Sequence, residues 1–231
     1  MADFVSKALA KSIHRIRLLL TKQRRKSAMS WSIFDSRGRR KYLIATERQA
    51  FMRAALAAGD DVMTFCAVLV FCGARISEAL ALTHERIDAA EGLIIFETLK
   101  RRQRGIVRAV PVPHELFALF ECVHDSCAAR LDPARANTRL WVWSRTTAWR
   151  RVKEVMRDAG IPEYLCKPKA LRHGFCIAAV LDSIVITLIS KWLGHARLET
   201  TQEYTKVVGP EERALASRTW RALLPSTSRD Y

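Results

Sequence analysis

What this 231-residue sequence lacks excludes several protein classes before any motif is read. Its six cysteines, Cys66, Cys72, Cys122, Cys127, Cys166 and Cys176, include no Cys-x-x-Cys pair. That absence argues against a zinc ribbon or a dithiol redox site, and the cysteines, most of them in apolar stretches, read as reduced core thiols of a cytoplasmic protein. Cys122, His124 and Cys127 would supply three metal ligands, but no fourth follows at a finger-like interval. Long apolar runs are also missing. The longest, Val62 to Cys72, is interrupted by Thr64 and falls far short of the roughly 20 residues a membrane helix needs. No apolar stretch leading to a small-residue cleavage site marks a secretory signal. Negative charge is scarce as well: 23 Asp and Glu face 39 Lys and Arg, for a net charge of +16 and a sequence pI near 10.2. Such an excess calls for a polyanionic partner, either nucleic acid or an acidic membrane surface.

The positive charge is concentrated at one end. Residues 1–45 hold 12 Lys and Arg against 2 Asp and Glu, a net of +10, which leaves +6 for the other 186 residues. Arg24, Arg25 and Lys26 lie in this stretch, together with Phe4, Leu9, Ile13, Ile16 and Leu20 at roughly helical spacing. A transit peptide or a membrane-surface helix would share that pattern, so composition leaves the partner open. Residues 1–45 are read as a basic arm or linker, 46–224 as the folded domain and 225–231 as a flexible tail.

The folded part reads as mostly helical, and 49% hydrophobic residues suffice for a sizeable core. Thr46 and Gln49 have the spacing of a capping box and Gly59 suits a stop, which predicts a helix over 47–58. A more apolar helix over 61–72 ends at Gly73, and the helical pattern resumes from Ile76 to Leu82. Gly92 to Leu99 and Ile106 to Val112 are β-rich. They are joined by Lys100, Arg101, Arg102, Gln103, Arg104 and Gly105, which predicts a hairpin with a basic tip. Further helices are predicted over 114–131, 144–159, 169–181, 184–193 and 199–207, with an amphipathic stretch from Glu211 to Leu224. The fold class is therefore mainly α with a small antiparallel β-sheet or hairpin (α+β).

Several polar residues interrupt these apolar segments. Arg75 follows Gly73 at the junction of two apolar helices, and Glu78, three residues on, can meet it as a buried ion pair. Lys169, Arg172 and His173 open another apolar helix, where positive charge is disfavoured unless an anion is near. His195 follows Gly194 at the end of an apolar run and by itself reads as a capping residue. Tyr204 by itself reads as a core aromatic with a bonded hydroxyl.

Taken in order, Gly-Ala-Arg75-Ile-Ser-Glu78-Ala-Leu, a hairpin carrying Lys100, Lys169-Ala-Leu-Arg172-His173, Leu-Gly-His195 and Tyr204 closely resemble the tyrosine recombinase, or phage integrase, family. The resemblance covers residues 46 to 208 and implies that family's catalytic-domain fold. It also implies its chemistry: DNA cleavage by a tyrosine nucleophile, a 3′-phosphotyrosyl bond, and strand transfer to a 5′-hydroxyl without metal, ATP or other cofactor. By the match, Tyr204 is the nucleophile, Arg75 and Arg172 stabilise the phosphate, and Lys100 is the general acid. His173 accepts or relays the tyrosine proton, and His195 donates to a phosphate oxygen. Lys169 stands where many members have His and remains a cationic donor. Glu78 orients Arg75. Arg101, Arg102 and Arg104 suit contacts to DNA phosphates, as do Arg24, Arg25 and Lys26.

A departure that matters more than the Lys169 substitution lies ahead of the catalytic segment. Members usually carry an N-terminal core-binding domain of about 100 residues, and here about 45 residues precede the catalytic segment; the basic arm is expected to track phosphates by charge. The expected partners are double-stranded DNA at a specific site, further copies of the chain in a tetramer on DNA, and a second recombinase or a DNA-bending protein; no membrane is expected. Two other readings stay open. One is an accessory DNA-binding protein without catalysis, and the other is an enzyme resembling type IB topoisomerases.

Overall fold

Asp60 and Asp61 open the most apolar segment of the chain, where their carboxylates complement the positive end of the helix dipole. In the computed structural model, which describes residues 32–98, 105–195, 197–206, 212–213 and 216–218, this segment is helix α2 (Asp60–Cys72). It follows α1 (Ala45–Ala57) and stops at Gly73 in the left-handed region, with φ 57°. A Cβ at position 73 would lie 2.6 Å from the Phe175 ring, so the turn needs glycine for room as well as for φ. Packed against α2 are α1, α3 (Ile76–Leu80), α4 (His114–His124), α6 (Arg145–Asp158) and α7 (Pro168–Leu181). Phe51, Phe65, Leu69, Phe120 and Trp141 fill the space between them.

Strands β1 (Ile87–Asp88), β2 (Leu93–Glu97) and β3 (Val107–Pro111) form an antiparallel sheet in the order β1-β2-β3. Its register pairs Ile94 with Val110 and Phe96 with Arg108, and all four side chains lie on the buried face. Helix α8 (Ile186–Leu193) meets β3, and α9 (Glu199–Gln202) runs into a single 3₁₀ turn, Glu203–Thr205. The molecule is thus mainly helical with one small antiparallel sheet, as the sequence pattern implies.

Four local expectations are corrected. The entry to α1 is held by Glu47 rather than by a Thr46–Gln49 box: its carboxylate accepts the Ile44 N–H at 3.1 Å and pairs with Arg40. The single helix expected over 114–131 is broken at Asp125, whose φ of 51° separates α4 from α5 (Ser126–Leu131). Several bonds hold this corner. The Ser126 hydroxyl donates to Phe120 O at 3.2 Å, Glu121 accepts the Cys127 N–H at 2.8 Å, and Arg135 pairs with Asp125 at 3.1 Å. Strand β1 adds a third strand to the expected hairpin. Cys122 and Cys127 are exposed, whereas the other four thiols are buried.

Ile33, Tyr42 and Leu43 are buried, and the Leu43 N–H reaches Ala170 O on α7 at 3.4 Å. Among the described residues no helix is long and apolar enough to cross a membrane. Most of the 211–224 stretch lies outside the described residues.

Candidate active site

The first turn of α3 builds one half of the site. Arg75 is its N-cap, and Glu78, three residues on, folds back. The Arg75 backbone N–H donates to Glu78 Oε2 at 2.9 Å and Arg75 Nη1 donates to Oε1 at 2.6 Å. The Glu78 side chain is 1% exposed. Arg108, from β3, donates Nη2 to Oε2 at 2.8 Å, and Arg172 Nη1 lies 3.9 Å from the same oxygen. One buried carboxylate therefore gathers three guanidiniums. Burial by itself would raise the Glu78 carboxyl, but Arg108 and then Arg75 outweigh it and hold the group below the usual carboxylate range.

Helix α7 supplies the centre. Pro168 occupies the first turn of the helix, where its missing N–H costs nothing. Lys169 is exposed in that turn, while Arg172 and His173 are buried. Arg172 donates Nη1 to Gly73 O at 2.7 Å and Nη2 to Leu193 O at 2.6 Å, tying the C-terminal ends of α2 and α8 to one cation. Burial, then Arg75, pull its pKa down to about 10, which leaves it charged at pH 7.

The second half comes from α8, α9 and the 3₁₀ turn. Gly194 takes φ 61° at the end of α8, and His195 follows, its Nδ1 2.7 Å from the hydroxyl of buried Thr201 on α9. The Tyr204 hydroxyl lies 2.8 Å from His173 Nδ1. Its ring runs parallel to that of His195, with an interplanar angle of 3° and centroids 6.4 Å apart. Tyr204 is only 1% exposed. Burial, then Cys176, push its hydroxyl above the ordinary tyrosine value, while Arg172 and Arg75 oppose the rise. Both histidines are pulled down to about 3, His173 by burial and then Lys169, His195 by burial and then Arg172. Both are neutral at pH 7, so each ring keeps a nitrogen lone pair.

Of the residues singled out in the sequence, Arg75, Glu78 and Arg172 meet in one cluster, and His173, His195 and Tyr204 meet beside it. Lys169 sits one turn before His173. Lys100, Arg101, Arg102 and Arg104 lie outside the described residues, as do Arg24, Arg25 and Lys26. Sequence reading missed Arg108, Thr201 and Cys176. Arg108 left a readable signal, because strand alternation places it on the same face as Val110, where a charge is out of place. Thr201 and Cys176 left none: a short α9 has no periodicity to read, and a cysteine on an apolar helix face looks like core.

Chemically, the arrangement places a tyrosine hydroxyl against a neutral imidazole and beside charged guanidiniums, which suits attack on an anionic centre. Among the described residues no group of three His, Cys, Asp or Glu side chains converges as a metal site.

Comparison with known proteins identifies the family and the fold. Residues 41–209 match the phage integrase family. The tyrosine recombinase XerA of Pyrococcus furiosus is 33% identical over 151 residues, covering 63% of this chain and 50% of that protein. The chain thus spans about half the length of the curated relatives it matches. The crystal structure of XerA recombinase superposes with a TM-score of 0.64 at 24% identity, over 80% of this chain and 65% of that one. The XerH site-specific recombinase bound to its difH substrate gives a TM-score of 0.61 at 17% identity, over 81% and 59%.

Proposed function

The chain belongs to the phage integrase family of tyrosine recombinases, and from that membership we propose that it cleaves and rejoins duplex DNA at a specific site through a 3′-phosphotyrosyl intermediate. The observation that carries the proposal is the Tyr204 hydroxyl 2.8 Å from neutral His173, beside the Arg75–Glu78–Arg172 cluster.

In the proposed step the Tyr204 oxygen attacks the scissile phosphorus, its proton passes to His173 Nδ1, and the P–O5′ bond breaks. The leaving 5′-oxygen takes a proton from the Lys100 ammonium. Rejoining reverses these transfers, so neither metal nor nucleotide is consumed. Arg75 and Arg172 supply planar donors to the non-bridging oxygens, where charge builds in the pentacoordinate transition state. His195 adds a further donor: when the Thr201 hydroxyl donates to Nδ1, the ring proton sits on Nε2. Lys169 contributes a cation at the rim.

The resting site is not yet poised. Ionising an ordinary tyrosine at pH 7 costs about 4 kcal/mol, and burial adds to that. A bound phosphodiester changes part of the balance: burial is the main cause that holds the His173 imidazole down, and the phosphate charge offsets the next two, Lys169 and Arg172. Phosphate binding thereby makes His173 a stronger base at the moment it is needed. DNA is the partner, met as a tetramer on its site, with residues 1–45 as a phosphate-tracking arm, 46–224 as the catalytic domain and 225–231 as a tail. A second reading, an accessory DNA-binding role without catalysis, is favoured by the burial of Tyr204.

Trapping on nicked duplexes tiled across the DNA flanking the gene separates the two. Catalysis predicts a denaturant-resistant adduct that disappears in Tyr204→Phe; salt-sensitive binding without adduct in both proteins supports the accessory role. An enzyme of the type IB topoisomerase kind would relax supercoils without strand exchange.

A further inference from the structure

Arg108 is the cation of the site that no role in the proposed chemistry uses. Its side chain is 4% exposed, so the charge depends on buried partners: Nε and Nη2 have them, whereas Nη1 makes no hydrogen bond. Three contacts hold it. Nη2 donates to Glu78 Oε2 at 2.8 Å, Nε donates to the Trp192 carbonyl at 2.6 Å, and the guanidinium carbon lies 5.0 Å from the centroid of the Phe96 ring, its partner across the sheet.

The two hydrogen bonds lead to different parts of the site. Through Glu78 they reach Arg75, because the carboxylate that Arg108 holds is the one bonded to Arg75 Nη1 and to its backbone N–H. Through Trp192 they reach His195, because residues 192 and 193 end α8 and each offers its carbonyl to a different buried guanidinium, Arg108 and Arg172. Gly194 belongs to the same joint: a Cβ there would lie 3.1 Å from Arg108 Cδ and 3.3 Å from Thr98 Oγ1. Arg108 also sits on β3, the first strand after Lys100 in the sequence.

Glu78 does not require Arg108 for neutrality, since Arg75 already pairs with it and Arg172 lies near. What Arg108 adds is geometry, because a planar guanidinium donating along two directions fixes the carboxylate and the end of α8 relative to one strand. We propose that Arg108 is a positioning residue, which sets the orientation of Arg75 through Glu78 and the placement of His195 through the Trp192 carbonyl. The inference rests on the recombinase reading and deepens it.

The test uses the full chain on a nicked duplex that traps the covalent product, with wild type, Arg108→Met, Arg108→Lys and Arg75→Ala as the series. At saturating protein, Arg108→Met should form adduct about 10–100-fold more slowly, the range usual for residues that orient a reacting group from behind, while half-saturating DNA stays within about twofold. Arg108→Lys, which keeps a charge but has no planar fork, should fall between Met and wild type. A neutral methylphosphonate at the scissile position relieves the demand on Arg75. On that substrate the Arg108→Met deficit should shrink to within about threefold, in parallel with Arg75→Ala. An equal deficit on both linkages, or none on either, overturns the proposal.

A second readout is independent of activity. The Arg75 amide, which donates to the same Oε2 as Arg108, should exchange its hydrogen at least about tenfold faster in Arg108→Met, while core amides such as Val152 stay protected. If wild type forms no adduct, the recombinase reading fails and amide exchange alone decides for or against Arg108. Unchanged Arg75 exchange overturns the inference even where wild type cleaves.

Discussion

Glu78→Gln is the substitution whose consequences the geometry defines most fully. The carboxylate accepts from Arg75 Nη1 at 2.6 Å, from the Arg75 N–H at 2.9 Å and from Arg108 Nη2 at 2.8 Å, with Arg172 at 3.9 Å. Glutamine keeps the shape but offers one oxygen, and its NH₂ must then face a guanidinium or the Arg75 N–H, donor against donor. The charge that compensated three cations also disappears. Breaking a buried ion pair on one side costs about 3–5 kcal/mol. For a domain of this size each kcal/mol shifts the melting temperature by about 2–4 °C, so Tm should fall by roughly 6–20 °C at pH 7.

The pH dependence gives a second handle on the same variant. The Glu78 carboxyl titrates lower in the folded protein than in the unfolded chain. Its contribution is therefore complete above the unfolded value near 4.3, and is lost as pH falls through the lower folded value. The Tm gap between wild type and Glu78→Gln should stay constant from about pH 6 to 8 and close below about pH 4. Calorimetry across that range reads both effects. A gap under about 2 °C at pH 7, or one that widens on acidification, would refute the assignment of Glu78 as the electrostatic keystone of the cluster.

Other outcomes follow from separate parts of the structure. His173 is neutral and buried with its pKa held near about 3, whereas an unfolded histidine takes a proton below about 6.5; its share of stability is thus full above that value and drains away as pH falls toward 3. At pH 5 the loss is about 2 kcal/mol, or roughly 4–8 °C, and thermal melts of His173→Gln should show a shallower acid slope than wild type; equal slopes would exclude this origin. Gly73→Ala must fit a methyl 2.6 Å from the Phe175 ring at φ 57°, so urea unfolding should report a loss of about 2 kcal/mol or more. Deleting residues 1–40, which carry most of the charge excess, should weaken binding alike on all duplexes and flatten the salt dependence of the affinity; unchanged binding in a salt titration would assign the arm to another partner.

How much of this was legible in the sequence depends on the range of the signals involved. The long apolar helices, their glycine stops and the hairpin were readable because Gly73, Gly194 and the alternation about Val110 are local. The candidate site residues stood out because Arg75, Arg172, His173, His195 and Tyr204 occur in a specific order, and the fold brings them close together. What stayed hidden depends on contacts far apart in the chain. The break at Asp125 needs Arg135 and the Ser126 hydroxyl, and the entry to α1 needs Arg40 to hold Glu47. Arg108 meets Glu78 thirty residues away and Trp192 eighty-four away. Only its parity with Val110 pointed inward, and parity says nothing about which groups wait there. The burial of Tyr204 behind His195 is likewise a tertiary fact, invisible from an aromatic in a polar stretch.

Peptide mapping of the trapped adduct identifies the residue that is joined to DNA. Nuclease digestion followed by trypsin should leave a nucleotide on the peptide Leu198–Lys206, in which Tyr204 is the sole tyrosine. The expected product is a phosphodiester from the Tyr204 oxygen to the 3′ end of the cleaved strand, with a free 5′-hydroxyl opposite. A nucleotide on any other peptide, or a 5′-phosphate link to Tyr204, would contradict it.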